Sequence, residues 1–278
     1  MCLGRRGNAY ILASESCALD TVGAELIRDV RPGEIIVIDE DGLTSHMAFH
    51  NSRRAYCIFE YIYFARADSC MDGFNINKVR REMGRQLARE YPVEADMVIP
   101  VPDSGIAAAR GFAAESGIPF EEGLMKNRYI GRTFIQPSQS IRDLGVRLKL
   151  NPIRDVLDGK RVVMVDDSIV RGTTSGKIVN MLRECGVKGV HFCISSPPVI
   201  KPCFYGIDIS TEYELIACRK PLREIRNFIG ADGLHYLSLE GLLNVFGQER
   251  NNFCTACFSG DYPVEIPKAH DRDKYILE

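Results

Sequence analysis

Two adjacent aspartates after an apolar run are the residues in this chain best suited to chemistry. The segment Arg161–Lys177 reads RVVMVDDSIVRGTTSGK and places Asp166 and Asp167 at the carboxyl end of a predicted strand. Ligands of open α/β sheets bind at that edge. A carboxylate pair there can bind sugar hydroxyls or a hard divalent cation.

A loop with a glycine and several hydroxyl groups follows the aspartates and opens into a predicted helix. Ser168–Thr174 contains Gly172 and three hydroxyl side chains. The free N–H groups and the dipole of a helix start form an anion site. The segment therefore offers phosphate recognition beside a diol or metal site, which suits a sugar phosphate.

Two other interpretations of this segment remain. The Asp and Thr residues could simply cap a helix, or an acid at a strand end could be the phospho-acceptor of a receiver domain. Adjacent aspartates followed by a Gly-Thr-Thr loop fit neither interpretation well.

The elements around this segment alternate between helix and strand from about residue 75. The patterns predict three helices, Asn75–Glu90, Ile106–Ser116 and Thr173–Glu184, and three strands, Asp96–Val101, Arg161–Val165 and Gly189–Ser195. Such alternation indicates βαβ units and a parallel sheet.

The first fifty residues have a different pattern, mixed β with one helix. We expect strands at Asn8–Ser16, Glu34–Ile38 and Thr44–Phe49, the last two forming a hairpin, and a helix over Ala18–Val30. This part looks too small to form a hydrophobic core by itself.

The composition excludes several classes of protein. The chain has 278 residues, a formal net charge of -2, 45% hydrophobic and 26% charged residues, which is an ordinary globular composition. The absence of a basic excess argues against a general nucleic-acid binder. No apolar run has membrane-spanning length, and no secretory signal is visible, so we expect a cytoplasmic protein without a membrane partner.

The aspartate segment closely resembles the phosphoribosyl pyrophosphate (PRPP) motif of type I phosphoribosyltransferases. Other segments resemble the glutamine PRPP amidotransferases, and this match runs from Ile11–Asp20 to Cys254–Ile266. The segments are Val101–Gly111, Lys126–Gln139, Gly145–Pro152 and Lys201–Thr211. The resemblance implies the type I phosphoribosyltransferase fold, a parallel sheet flanked by helices. It also implies the committed step of purine synthesis, in which ammonia and PRPP form 5-phosphoribosylamine.

The resemblance also implies roles for single residues. Mg²⁺ is expected at Ser104, Asp166 and Asp167. The residues expected to bind PRPP are Asp103, Ser104, Gly105, Asp166, Asp167, Ser168, Arg171, Gly172, Thr173 and Thr174. Lys126–Gln139 corresponds to a loop that closes over PRPP, where Lys126, Tyr129 and Arg132 would act on the pyrophosphate. Standing alone, that segment would be interpreted as a solvated basic loop.

Ten cysteines in a reducing compartment are not a disulfide framework. Cys254 and Cys257 form a CxxC pair, which could bind zinc, be redox-active or have no special role. With two distant cysteines it would also fit a four-cysteine iron–sulfur site. The resemblance is to the Bacillus-type enzymes and implies a [4Fe–4S] cluster on Cys57, Cys203, Cys254 and Cys257, with structural zinc as the second choice. Its expected role is to clamp the C-terminal tail.

The same resemblance divides the chain into three parts. Residues 1–50 match the end of an N-terminal-nucleophile glutaminase domain, 51–266 are the phosphoribosyltransferase domain with its cluster-binding tail, and 267–278 are a further tail. Cys2 is not its nucleophile, since no glutamine-binding context follows. We therefore expect ammonia-dependent activity without glutamine hydrolysis, with exposed apolar faces in residues 1–50 and, as an option, a separate glutaminase chain.

Several properties and rivals stay open at this stage. The resemblance implies a homo-oligomer and purine nucleotides as inhibitors. A PRPP-sensing regulator without catalysis is one rival, but both the closing loop and the pyrophosphate loop are present. A phosphoribosyltransferase that takes a purine or pyrimidine base is another. The five histidines form no visible cluster, which agrees with a reaction that needs no strong general base.

Overall fold

The computed structural model describes residues 1–49, 54–129, 148–209 and 211–266. Its first range is rich in β structure. The elements are β1 (Cys2–Arg6), β2 (Ala9–Ala13), α1 (Ser16–Thr21), β3 (Glu25–Asp29), β4 (Glu34–Asp39) and β5 (Gly42–Met47). Strand β1 lies between β2 and β3 in an antiparallel sheet, and β4 and β5 form the predicted hairpin.

The predicted helix over Ala18–Val30 is wrong in its second half. The helix α1 ends at Thr21, and Gly23 follows with a φ of 66°, a left-handed conformation that stops a helix. Glu25–Asp29 is instead strand β3, because its backbone groups pair with those of β1. Pairing with a distant strand has overridden the local helical pattern.

The described N-terminal range buries little of its apolar surface. Its buried apolar cluster consists of Cys2, Leu19 and Ala24, and Leu3 and Cys17 are buried as well. Several large apolar side chains in this range are exposed instead: Leu12, Val22, Leu26, Ile27, Ile35, Val37, Ile38 and Phe49.

The rest of the chain alternates between strands and helices. After β6 (Tyr56–Cys57) come a π-helical turn (Glu60–Phe64), β7 (Cys70–Met71), β8 (Phe74–Asn75), α2 (Ile76–Glu90), β9 (Met97–Pro100), α3 (Ile106–Ser116), β10 (Leu124–Lys126), β11 (Leu150–Pro152), α4 (Arg154–Leu157), β12 (Arg161–Asp166), α5 (Thr173–Glu184) and β13 (Gly189–Ile194). The remaining elements are a 3-10 turn (Glu212–Glu214), α6 (Ile216–Arg219), α7 (Leu222–Ile229), β14 (Gly233–Tyr236), α8 (Leu239–Asn244), a second 3-10 turn (Gly247–Asn252), β15 (Phe253–Cys254) and α9 (Ala256–Ser259).

A four-stranded parallel sheet in the order β14-β13-β12-β9 forms the centre of this part. Alternate residues of β12 face opposite sides, and both sides are covered. Val163 and Val165 pack with side chains of α2 and α3, whereas Val162 and Met164 pack with α5 and α7. Burial on both faces explains the uninterrupted apolar run before the aspartates.

Two glycines let α2 and α3 cross in close contact. A Cβ at Gly84 would lie 1.8 Å from the carbonyl oxygen of Ala108, and one at Gly111 would lie 1.9 Å from that of Arg81. Backbone therefore packs against backbone at this crossing. The position of α3 matters for the site because α3 begins directly after the loop at the end of β9.

No helix within the described ranges is long and apolar enough to cross a membrane.

The glycine crossing generates a stability prediction. Substitution Gly111→Ala should lower the free energy of unfolding by about 2 kcal/mol, because the new methyl group has no room between two backbones. The matched control is Gly176→Ala in α5, where the nearest atom to an added Cβ is 3.6 Å away. That variant should gain up to about 1 kcal/mol. Urea unfolding of both variants measures the difference, and equal effects would contradict the close crossing.

Candidate functional site

The site lies at the carboxyl edge of the parallel sheet, where β9 and β12 end side by side. Val165 pairs with Pro100 in the register of the two strands, and the N–H of Val101 donates to the carbonyl of Val165 at 2.8 Å. The loop after β9 and the loop after β12 consequently meet. Both loops contain residues predicted from the sequence to bind a ligand, and they come from distant parts of the chain.

Gly105 is the residue that allows this close approach. A Cβ at this position would lie 2.4 Å from the carbonyl oxygen of Val165 and 2.8 Å from that of Val101. The glycine therefore serves the contact between the two loops, and α3 starts at the next residue.

The two aspartates form a crowded carboxylate pair. Asp167 is buried, with 6% of its surface exposed, and Asp166 is half-buried. Ser168 donates to Asp167 at 2.5 Å, and a second hydrogen bond joins Asp167 to Ser104 of the neighbouring loop. Burial, followed by the charge of Asp167, raises the pKa of Asp166 well above its ordinary value. Burial also raises the pKa of Asp167.

The loop predicted to bind an anion turns at a glycine directly before a helix. Gly172 adopts a φ of 77°, and a Cβ there would lie 2.8 Å from a side-chain carbon of Ile216. Helix α5 begins directly after it, with Thr173 and Thr174 exposed in its first turn. The guanidinium of Arg171, the residue before Gly172, forms an ion pair with Glu214 at 2.9 Å.

The segment predicted to close over a substrate is described only at its beginning. Lys126 ends β10 and forms an ion pair with Asp103 of the loop after β9, so these two predicted residues are together. The side chain of Tyr129 is fully exposed and forms no hydrogen bond to Asp166 or Asp167. Arg132 lies outside the described residues.

The structure adds two residues that the sequence analysis missed. Ser195, after β13, donates to the backbone carbonyl of Asp166 at 3.2 Å. Arg80 of α2 is buried, and its charge acts on Asp167. A sequence signal for Arg80 exists, because it occupies the apolar stripe that Ile76, Met83 and Leu87 define on α2.

The four cysteines predicted as cluster ligands come together from three segments. Cys57 of β6 pairs in parallel register with Cys254 of β15, and Cys257 follows in α9. The charge of Cys203 acts on the thiols of both Cys254 and Cys257. Burial raises the pKa of Cys57 to about 11 and, together with the other three thiols, raises that of Cys257.

Backbone N–H groups point at these sulfur atoms. Phe59 and Glu60 donate to Cys57, Ala256 donates to Cys254, and Tyr205 donates to Cys203 at 3.4 Å. Such donors favour the thiolate, which is the form that binds metals. Within the residues that the structure describes, no group of three or more His, Cys, Asp or Glu side chains has the arrangement of a single-ion metal site.

Comparisons with known proteins identify the relatives of this chain. Residues 72–197 match the phosphoribosyl transferase domain family. The chain is 56% identical to the amidophosphoribosyltransferase of Bacillus subtilis over 268 residues, or 95% of this chain and 56% of that protein. It is 54% identical to the amidophosphoribosyltransferase of Archaeoglobus fulgidus, covering 96% of this chain and 59% of the relative.

A solved structure agrees with the sequence comparison. The glutamine PRPP amidotransferase from B. subtilis, complexed with ADP and GMP, superimposes with a TM-score of 0.90 at 55% identity, over 96% of this chain and 60% of that one. The type I phosphoribosyltransferase fold predicted from the sequence is thereby confirmed. The chain spans a little over half the length of the relatives it matches.

The crowded aspartates generate a prediction about stability and pH. The folded-state pKa of Asp166 is raised, so this carboxyl costs the fold increasing free energy as pH rises above about 4. Asp166→Asn should therefore raise Tm in the presence of EDTA, by about 2–6 °C at pH 8 and by little at pH 4. The exposed Asp41→Asn serves as control and should change Tm at neither pH. A lower Tm for Asp166→Asn at pH 8 would contradict the repulsive pair.

Proposed function

We propose that this chain, homologous over almost its whole length to amidophosphoribosyltransferases, forms 5-phosphoribosylamine from PRPP and ammonia with Mg²⁺. The observation that carries the proposal is the meeting of two loops at adjacent strand ends. The loop after β12 carries the two aspartates and opens a helix, whose first N–H groups have no partner within the helix. The loop after β9 packs against the end of β12 through Gly105. A sugar that carries phosphate at one end and pyrophosphate at the other fits this pair of loops.

PRPP then lies across the edge of the sheet. Its 5-phosphate is placed at the start of α5, where Thr173 and Thr174 are exposed. Its ribose hydroxyls face Asp166 and Asp167, whose oxygens accept hydrogen bonds. Its pyrophosphate lies along the loop of Asp103, Ser104 and Gly105.

The donor set at this edge suits Mg²⁺. Ser104, Asp166 and Asp167 supply only hard oxygen donors, and Mg²⁺ binds through few protein ligands while it keeps waters and substrate oxygens. Burial raises the pKa values of both aspartates, and a divalent cation would offset the free-energy cost of their ionised forms. A Mg²⁺ ion held by Ser104, Asp166 and Asp167 would neutralise charge on the leaving pyrophosphate.

The protein's own groups support a dissociative displacement at C1 of the ribose. The bond from C1 to the pyrophosphate oxygen breaks with its electron pair on pyrophosphate, and the ring carbon acquires oxocarbenium character. Lys126 stabilises the departing charge, for which it must exchange its ion pair with Asp103. Tyr129 and Arg132 are assigned to the same leaving group. Ammonia attacks C1 as a free amine, so no strong base is required.

A [4Fe–4S] cluster is the second group that we propose for this chain. Its ligands would be Cys57, Cys203, Cys254 and Cys257, and their N–H donors support thiolate ligation. Each iron of such a cluster takes one thiolate, so the four sulfurs need not converge on one point. Structural zinc is the alternative, and it would require the four sulfurs to move together onto a single ion, because the described residues show no such arrangement. When bound, the cluster would cross-link β6 to the C-terminal β15 and α9.

Three further properties complete the proposal. Residues 1–50 are assigned to part of a glutaminase domain, and their exposed apolar strands suit a protein partner. Purine nucleotides are proposed as inhibitors, because the B. subtilis relative binds ADP and GMP. We also propose a homo-oligomer in the cytoplasm, where ten free cysteines would stay reduced.

The activity is tested with anaerobically purified protein, PRPP and Mg²⁺, with ammonia and then glutamine as nitrogen source. Phosphoribosylamine should form with ammonia, and Asp167→Asn should lower kcat/KM at least about a hundredfold, because it removes one charge of the binding pair. The exposed control Asp41→Asn should keep wild-type kinetics.

Other outcomes of this assay distinguish the rival functions. Binding of PRPP without any product would favour a regulator. Reaction of PRPP with a purine or pyrimidine base would identify a different phosphoribosyltransferase. Product with glutamine alone would show that the chain supplies its own ammonia and would overturn the predicted absence of glutamine hydrolysis.

The cluster is tested by metal analysis of the anaerobic protein. Wild type should contain about four iron and four sulfide per chain. Cys254→Ser should lose most of this content, together with the charge-transfer absorption of the cluster, since it removes one of four ligands. The control Cys218→Ser changes an exposed thiol outside the set and should keep the full content. One zinc per chain without iron would contradict the cluster and support the structural zinc alternative.

A further inference from the structure

The anion loop, Ser168–Thr174, contains a single basic residue, Arg171. The guanidinium of Arg171 is already engaged, because it forms an ion pair with Glu214 at 2.9 Å. Both side chains are partly accessible to solvent, with 57% of the Arg171 side chain and 34% of the Glu214 side chain exposed. The positive charge of this loop is therefore balanced by a carboxylate from a distant part of the chain.

The 3-10 turn that carries Glu214 is held by two further cations. Lys201 forms an ion pair with Glu212 at 2.8 Å, at the beginning of the turn. The guanidinium of Arg219 lies over the ring of Tyr213, 4.9 Å from the ring centroid. These two contacts would remain if Glu214 lost its charge, so the turn does not depend on the ion pair with the anion loop.

The turn is also anchored on the anion loop by its own backbone. The N–H of Ile216 donates to the carbonyl of Val170 at 2.9 Å. Ile216 is buried, and its side chain occupies the space that Gly172 leaves free, where an added Cβ would lie 2.8 Å away. Glu214 therefore stands two residues before a fixed contact with the neighbour of Arg171. Such anchoring lowers the side-chain entropy that an exposed ion pair ordinarily costs.

We propose that Glu214 is a positioning residue of the anion loop, which neutralises Arg171 until a bound phosphate group takes the guanidinium over. The inference rests on the proposed function for the identity of the phosphate ligand, PRPP. Binding exchanges one charge-assisted contact for another, since Arg171 gives up a carboxylate and gains phosphate oxygens. Glu214 does not touch the ligand. Its carboxylate lowers the affinity of the loop for phosphate, because the ligand has to compete for Arg171.

Four variants separate the ion pair from the net charge of the turn. Glu214→Gln removes the carboxylate and keeps a side chain of the same size. The matched control Glu212→Gln removes an equal charge from the same turn and leaves the pair of Glu214 with Arg171 intact. Arg171→Gln removes the cation, alone and together with Glu214→Gln. Isothermal titration with PRPP and Mg²⁺ under anaerobic conditions gives the dissociation constants, and thermal unfolding reports the fold.

At low salt we expect Glu214→Gln to bind PRPP about threefold more tightly than wild type, because Arg171 no longer has to leave a carboxylate. The gain should shrink at about 0.5 M salt, where exposed charges are screened. Glu212→Gln should match wild type. Arg171→Gln should weaken binding about threefold or more, and adding Glu214→Gln to it should give no gain.

Three results would overturn the proposal. Unchanged or weaker binding of PRPP by a folded Glu214→Gln variant would show that Glu214 does not compete for Arg171. A gain that persists in the Arg171→Gln background would show that Glu214 repels the ligand directly. An equal gain in Glu212→Gln would show an effect of net charge and not of the ion pair.

Failure of the proposed function has a different signature. Wild type would then bind inorganic phosphate but not PRPP, and titration of the same variants with inorganic phosphate would still measure the competition for Arg171. If wild type binds neither anion, Ser168–Thr174 is not an anion site and the role of Glu214 falls with it.

Discussion

The parallel pairing of β9 with β12, closed at its carboxyl end by Gly105, is the constraint on which the rest of the site depends. A side chain at this glycine would collide with the carbonyl of Val165, so the loop after β9 would have to move away. Ser104 would then lose its hydrogen bond to Asp167. One backbone contact thus decides whether the loop after β9, the carboxylate pair and the loop before α5 lie together.

Electrostatic strain accumulates at this edge of the sheet. Two adjacent carboxylates are held in a protein interior, and their raised pKa values express the free energy that this costs. The charge of Arg80 opposes part of this cost at Asp167, and a bound cation would oppose more of it. Lys126 and Asp103 neutralise each other at the rim. The ligand-free protein is therefore less stable than it would be with apolar residues in place of the two aspartates. Functional sites commonly lower stability in this way.

Cys57 lies beside the C-terminal cysteines because of apolar packing, since the two segments are far apart in the sequence. Cys57 and Cys254 are neighbours because β6 pairs with β15, and the rings of Tyr56 on β6 and Phe253 on β15 contact each other edge to face. Tyr61, Phe246 and Phe253 pack edge to face or tilted, with the last two at 4.1 Å between centroids. The C-terminal segment is therefore already docked on the body by aromatic burial, and the cysteines lie beside this contact.

Local patterns in the sequence were sufficient for the elements and loops whose cause is itself local. Helix α3 runs over Ile106–Ser116 as predicted and ends at Gly117, whose φ is 75°, and α5 also has its predicted bounds. The parallel sheet followed from the alternation of elements, and the resemblance supplied the site residues that the two loops bring together. These features depend on periodicity, glycine and hydroxyl placement within a few residues.

Only the tertiary structure decided the features that depend on distant partners. Strand β3 replaced a predicted helix because β1, more than twenty residues before it, offers a backbone ladder. The periodicity of α2 is compatible with burial of Arg80, but only the fold shows that its side chain binds the carbonyls of Tyr61 and Ala65. The ion pair of Lys126 with Asp103 also joins separate segments. Strand pairing and charge interactions between remote residues leave no periodic trace in a single chain, so a local pattern cannot reveal which residues are partners.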